Sequence, residues 1–110
     1  MAWTKQNKKT WRKLLCYFKR TLPSIKKVHV RRIKLPKCRR EYQGYVIDTS
    51  KAYYIFIDKT LTYDPAIDTL IEEWAHTIAG FKGGTENELE DHGAAWGRAV
   101  SKVKQAYLKF

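Results

Sequence analysis

Glu72, Glu73 and His76 have the residue types and the spacing found in the metal sites of hydrolases. They lie in the segment Glu72-Glu73-Trp74-Ala75-His76. In a helix, residues four apart lie one turn apart on the same face, so Glu72 and His76 can bind one metal ion. Glu73 directly follows the first of these ligands, where a carboxylate can take the proton of a metal-bound water. The spacing is that of the HExxH zinc site, with Glu72 in place of the first histidine.

A catalytic zinc also needs a third protein ligand and one open coordination position. His92, in the segment Asp91-His92-Gly93, is the candidate. It stands at the start of the last predicted helix, after a loop long enough to return to the site. The expected metal ligands are therefore Glu72, His76 and His92, with Glu73 as general base.

The carboxylate at position 72 leaves the choice of metal open. Carboxylate oxygen is a legitimate zinc ligand, but an anion in place of neutral imidazole makes bound water less acidic. Glu72 also favours a harder ion such as manganese over zinc. The alternative is a degenerate site without metal, in which Glu72 is solvated or ion-paired and both histidines are structural.

Hydrophobic periodicity in the N-terminal half predicts one helix followed by three strands. The helix covers residues 10–22 and starts a few residues earlier, with an apolar face opposite its cations. Runs rich in β-branched and aromatic residues predict strands at 28–35, 42–48 and 52–58, with a hairpin turn at 48–51.

Two further helices follow. The first begins at Asp64-Pro65, with Asp64 as N-cap, and ends at Gly80; the second begins near Gly93. The order α-β-β-β-α-α predicts an α+β fold with a small antiparallel or mixed sheet. We expect one domain over residues 1–110, with a flexible N-terminal segment at residues 1–9.

Positive charge is concentrated in the first 40 residues. They hold 15 of the 22 Lys and Arg residues and none of the 11 acids, so the two parts carry +15 and −4. This asymmetry favours a polyanionic partner, nucleic acid first, and the alternative is a basic surface with no dedicated partner. The expected nucleic-acid contacts are cations of this segment: Lys8, Lys9, Arg12, Lys13, Arg31, Arg32, Arg39 and Arg40. Trp3 lies in the same segment and is a weaker candidate for stacking on a base.

The two cysteines and the hydropathy pattern limit other classes of function. Cys16 and Cys38 form no CxxC pair, so a structural zinc site built from cysteines is excluded. Cys16 shares the apolar face of the first helix and is expected to be a buried free thiol. No apolar run approaches the roughly 20 residues that cross a bilayer. An intracellular location without a membrane partner fits these features.

A helix ending in Trp74-Ala75-His76, a loop, and His92-Gly93-x-x-Trp96 opening another helix together resemble the SprT-like zinc metalloproteases, particularly small phage-encoded members. The resemblance covers roughly residues 64–108. It implies a minimal zincin-like fold in which His76 is the second zinc ligand, Glu73 the general base and His92 the third ligand. Several SprT-like proteins act on DNA-bound proteins.

Three functions follow as expectations. The first is a metal-dependent peptidase with a protein or peptide substrate, acting on or near nucleic acid. The second is a non-enzymatic nucleic-acid-binding protein on a degenerate zincin scaffold. The third is an interaction protein that keeps the fold and has lost the chemistry.

Overall fold

Six regular elements make up the structure, a computed structural model that describes residues 3–22, 24–36, 42–80 and 93–110. They are α1 (Lys5–Thr21), β1 (Lys27–Ile33), β2 (Gly44–Asp48), β3 (Ala52–Asp58), α2 (Tyr63–Ala79) and α3 (Ala94–Leu108). The predicted α+β class and the order α-β-β-β-α-α are confirmed.

Helix α1 begins before residue 10, as the sequence predicts, because Thr4 caps it. The Thr4 hydroxyl accepts a hydrogen bond from the Asn7 backbone, and the Asn7 side chain accepts one from the Thr4 backbone. This reciprocal capping box satisfies two backbone donors that would otherwise have no partner in the helix. The buried face of α1 consists of Trp11, Leu14 and Phe18.

The three strands form one mixed sheet in the order β1-β3-β2. Strand β1 runs parallel to β3, and β2 runs antiparallel to it. The predicted turn between β2 and β3 is present, with the Thr49 hydroxyl accepting from the Ala52 backbone N–H and donating to the Ala52 carbonyl. Strand β3 is therefore central, and its residues Ile55 and Ile57 are fully buried.

The sequence predicts the start of α2 two residues too late. Its N-cap is Thr62, and the predicted N-cap residue Asp64 lies inside the first turn. Pro65 is compatible with this position because the first backbone N–H groups of a helix have no partner within it. The predicted end is confirmed: Gly80 has φ of 80°, in the left-handed region that glycine tolerates best.

The three helices and the sheet share one hydrophobic core. Trp74 of α2 is fully buried and packs edge-on against Phe18 of α1, with ring centroids 5.3 Å apart. Val103 of α3 and Ile55 of β3 belong to the same cluster. The helices in the described part of the chain are too short or too polar to cross a membrane.

Candidate metal centre and basic surface

The turn of α2 from Glu72 to His76 has a solvent side and a core side. Glu72 is exposed, whereas Glu73 is 7% and His76 2% exposed. Successive residues of a helix point about 100° apart, so His76 lies between the directions of the two glutamates. The three side chains therefore occupy one arc of the helix that runs from solvent into the core.

Glu73 is packed against the start of strand β2. A Cβ atom placed on Gly44 would lie 3.5 Å from Glu73 Cγ and only 2.7 Å from Thr69 Cγ2. The hydroxyl of Thr69, one turn before Glu73, shares its proton between the Pro65 carbonyl oxygen at 2.9 Å and Gln43 Oε1 at 3.2 Å. The missing side chain at Gly44 is what lets α2 bring Glu73 this close to the sheet.

The first turn of α3 lies against the same turn of α2. Trp96 Nε1 donates to the Glu72 carbonyl oxygen at 3.3 Å, and the Trp96 and His76 rings are 5.7 Å apart. Gly93 is the N-cap residue of α3. Trp96, three residues after Gly93, thus contacts both predicted ligand positions of α2, Glu72 and His76.

The predicted third ligand, His92, lies outside the described residues. Within the ranges that the structure describes, no three His, Cys, Asp or Glu side chains are grouped so that they could hold a metal ion. The donors that are described, the Glu72 carboxylate and the His76 imidazole, fit a divalent transition metal by their chemistry. The ligand set Glu72, His76 and His92 stays a prediction.

The predicted nucleic-acid contacts fall into three groups. Lys8, Lys9, Arg12 and Lys13 are exposed along α1, and Arg31 is exposed on β1. Arg32 is half-buried, with its guanidinium 3.4 Å from the centroid of the Trp3 ring and Nη2 donating to the Lys59 carbonyl. Arg39 and Arg40 lie outside the described residues.

Burial lowers the pKa of the Arg32 guanidinium from its ordinary value, because part of its hydration is lost beside the Trp3 ring. This side chain has a structural partner within the protein. It is therefore a poorer candidate for phosphate binding than its exposed neighbour Arg31.

Two expectations about single residues are wrong. Trp3 is not available to stack on a base, because it is 8% exposed, meets the Trp11 and Tyr63 rings edge-on, and donates from Nε1 to the Leu61 carbonyl. Cys16 is exposed and not buried. The fully buried face of α1 is narrower than its sequence pattern indicates, since it consists of Trp11, Leu14 and Phe18 and does not include Cys16.

The structure adds a basic groove that the sequence analysis missed. It is open, with a volume of about 610 Å³, and lies between the solvent side of α1 and Phe110. Tyr17 and Phe110 form an aromatic pair in it, with centroids 5.3 Å apart. Local patterns give no signal for this pair, because its members come from opposite ends of the chain.

A second open groove, of about 640 Å³, lies near the end of α1 and the start of β1 and includes Lys19, Ile25 and His29. Glu72, Glu73 and His76 are not among the described residues that line either groove. The candidate metal centre and the basic groove are therefore separate places on the molecule.

A scan against protein-family models, a search of curated proteins and a search of solved structures found no match to this chain.

Proposed function

We propose that this chain is a metal-dependent peptidase of the SprT-like type, with Glu72, His76 and His92 as metal ligands and Glu73 as general base. One observation carries the proposal. Glu73 and His76 are both buried, at the turn of α2 that Trp96 of α3 contacts. Buried ionisable side chains of these types are concentrated at functional sites.

The described residues support separate roles for the metal ion, Glu73 and Trp96. A bound divalent ion would polarise a peptide carbonyl and activate a water molecule. Glu73, held against the start of β2 by the space at Gly44, accepts the proton of the attacking water and returns it to the leaving amine. Trp96 donates to the Glu72 carbonyl oxygen and contacts the His76 ring, so it helps to fix the position of this turn of α2.

Metal content tests the ligand set. We expect about one equivalent of a transition metal in protein purified without added metal, and its loss in both Glu72→Ala and His76→Ala. Glu72 is exposed, so its replacement leaves the core unchanged even if His76→Ala unfolds the chain. The matched controls Asp68→Ala, an exposed acid of α2, and His29→Ala should keep the metal.

Proteolysis tests the general base. Glu73→Gln should lower the hydrolysis rate of an unfolded protein substrate by at least about 100-fold, the usual contribution of a positioned base, and keep the metal. Asp68→Asn should have no effect. Proteolysis that survives Glu73→Gln unaltered would show that the assigned mechanism is wrong.

Nucleic-acid binding is a second candidate function, favoured by the exposed cations Lys8, Lys9, Arg12 and Lys13 on one helix. Phosphate contacts of this kind release counterions, so the affinity for a DNA duplex should fall by about 100-fold between 50 and 200 mM salt, the loss expected for four contacts. A chelator should leave the affinity unchanged. Affinity that is flat over this salt range would remove this candidate.

A further inference from the structure

The basic groove between α1 and Phe110 combines cations with exposed aromatic surface. Lys9, Arg12, Lys13 and Arg20 line it together with Tyr17 and Phe110. No Asp or Glu is among the described residues that line it. The charged side chains that line it are therefore all cationic, and they favour an anionic ligand.

The cations form a stripe along the solvent side of α1. Residues 9, 13 and 20 recur at helical spacing, with the stripe extending about 16 Å along the helix axis at 1.5 Å per residue. The opposite side of α1 is held in the core by Trp11, Leu14 and Phe18. The stripe thus has the form of a track for an extended polyanion, not of a pocket for a single small anion.

The aromatic pair gives the groove a second kind of contact. The Tyr17 and Phe110 ring planes are tilted by 48°, and Phe110 is 45% exposed. The Arg20 guanidinium lies 5.8 Å from the centroid of the Tyr17 ring. Aromatic side chains beside a positively charged track bind unpaired bases by stacking, which a base paired within a duplex cannot offer.

We propose that this groove is a binding site for single-stranded nucleic acid, in which Lys9, Arg12, Lys13 and Arg20 contact phosphates and a base stacks on Phe110 beside Tyr17. The inference deepens the second candidate function and rests on it. It is independent of the metal centre.

Direct binding of labelled 12-nucleotide probes tests the stacking contact. The probes are oligo(dT) and oligo(U), with a duplex of the same length for comparison. Phe110→Leu keeps an apolar side chain but removes the ring, so it should weaken binding of one or both single strands by about 5- to 100-fold, the loss expected for one stacked base. The duplex affinity should hardly change. Leu108→Ala, at a neighbouring residue that is 81% exposed, is the matched control and should bind as the wild type does.

A charge-matched pair of double variants tests the phosphate track. Lys9→Gln with Lys13→Gln should lower the slope of log affinity against log salt by about 1.4, or 0.7 for each lost contact with a single strand. Lys102→Gln with Lys104→Gln makes the same change in net charge at exposed positions of α3 and should leave the slope unchanged.

Alkylation of Cys16, which lines the same groove, gives an independent readout. In a Cys38→Ser background, oligo(dT) at a concentration that just saturates the wild type should slow its reaction with a maleimide several-fold, and less so in Phe110→Leu, because less of that variant is bound.

The outcomes separate the two proposals. If the wild type binds neither probe type at low salt, the second candidate function fails and this inference fails with it. If it binds but the groove variants match their controls, only this inference is overturned. Displacement of oligo(dT) by a 12-residue poly-glutamate peptide at equal charge, with the same sensitivity to Phe110→Leu, overturns it in favour of an acidic protein partner.

Discussion

At the scale of single residues, neighbours of identical type have different roles. Glu72 is exposed and Glu73 is buried, because a helix turns about 100° between them. Arg31 is exposed and Arg32 lies on the Trp3 ring, because successive residues of a strand point to opposite faces. Residue type therefore identifies candidates, and the direction of the side chain selects among them.

Replacing Gly44 should displace the Glu73 side chain while leaving residue 73 itself unchanged. In Gly44→Ala the new methyl group would lie 2.7 Å from Thr69 Cγ2 and 2.8 Å from the Phe56 carbonyl oxygen, so α2 or the sheet must shift. We expect a loss of about 1–3 kcal/mol in the free energy of unfolding, measured by urea denaturation, with reduced peptidase activity.

Gly97→Ala is the control for that substitution. Gly97 lies inside α3, and among the described residues no atom beyond its chain neighbours and the adjacent backbone of α3 lies within 4 Å of an added Cβ. Alanine in place of glycine should stabilise the helix by about 0.5–1 kcal/mol. Equal stability of the two variants would contradict the close packing of Gly44 against α2.

At the scale of elements, local sequence is a good guide in this chain. Capping, turn and periodicity signals act over a few residues. They predict the helix at 10–22, the hairpin turn at 48–51 and the end of α2 at Gly80. The sequence predicts Asp64 as the N-cap of α2, whereas the structure has Thr62 at that position. Both residue types suit a helix start, so only backbone conformation decides between them.

At the scale of the whole molecule, residues far apart in the chain converge on two places. The contacts of Trp96 with α2 join the two C-terminal helices at the candidate metal centre. Trp3 joins the N-terminus to β1 through Arg32 and to the start of α2 through Tyr63. The basic face of α1 is thereby held in a fixed orientation on the core.

The anchor at Trp3 leads to a prediction about the arginine pair. Arg32→Gln removes the cation–π contact and the hydrogen bond to Lys59, so the free energy of unfolding should fall by about 1 kcal/mol. Arg31→Gln makes the same change in charge at an exposed position and should leave stability nearly unchanged. Urea midpoints of the two variants measure the difference, and equal midpoints would argue against a structural role for Arg32.

The sequence by itself determined the order of elements, the α+β class and the candidate residues Glu72, Glu73, His76 and His92. Those inferences depend on residue type and on spacing within one element, and both can be read from a short stretch of sequence. Only the tertiary structure decided that Glu73 packs beside Gly44, that Trp3 is buried and Cys16 exposed, and that Phe110 meets Tyr17 across the basic groove. The physical reason is that burial and pairing depend on which distant surfaces the core brings into contact, and no local pattern encodes that choice.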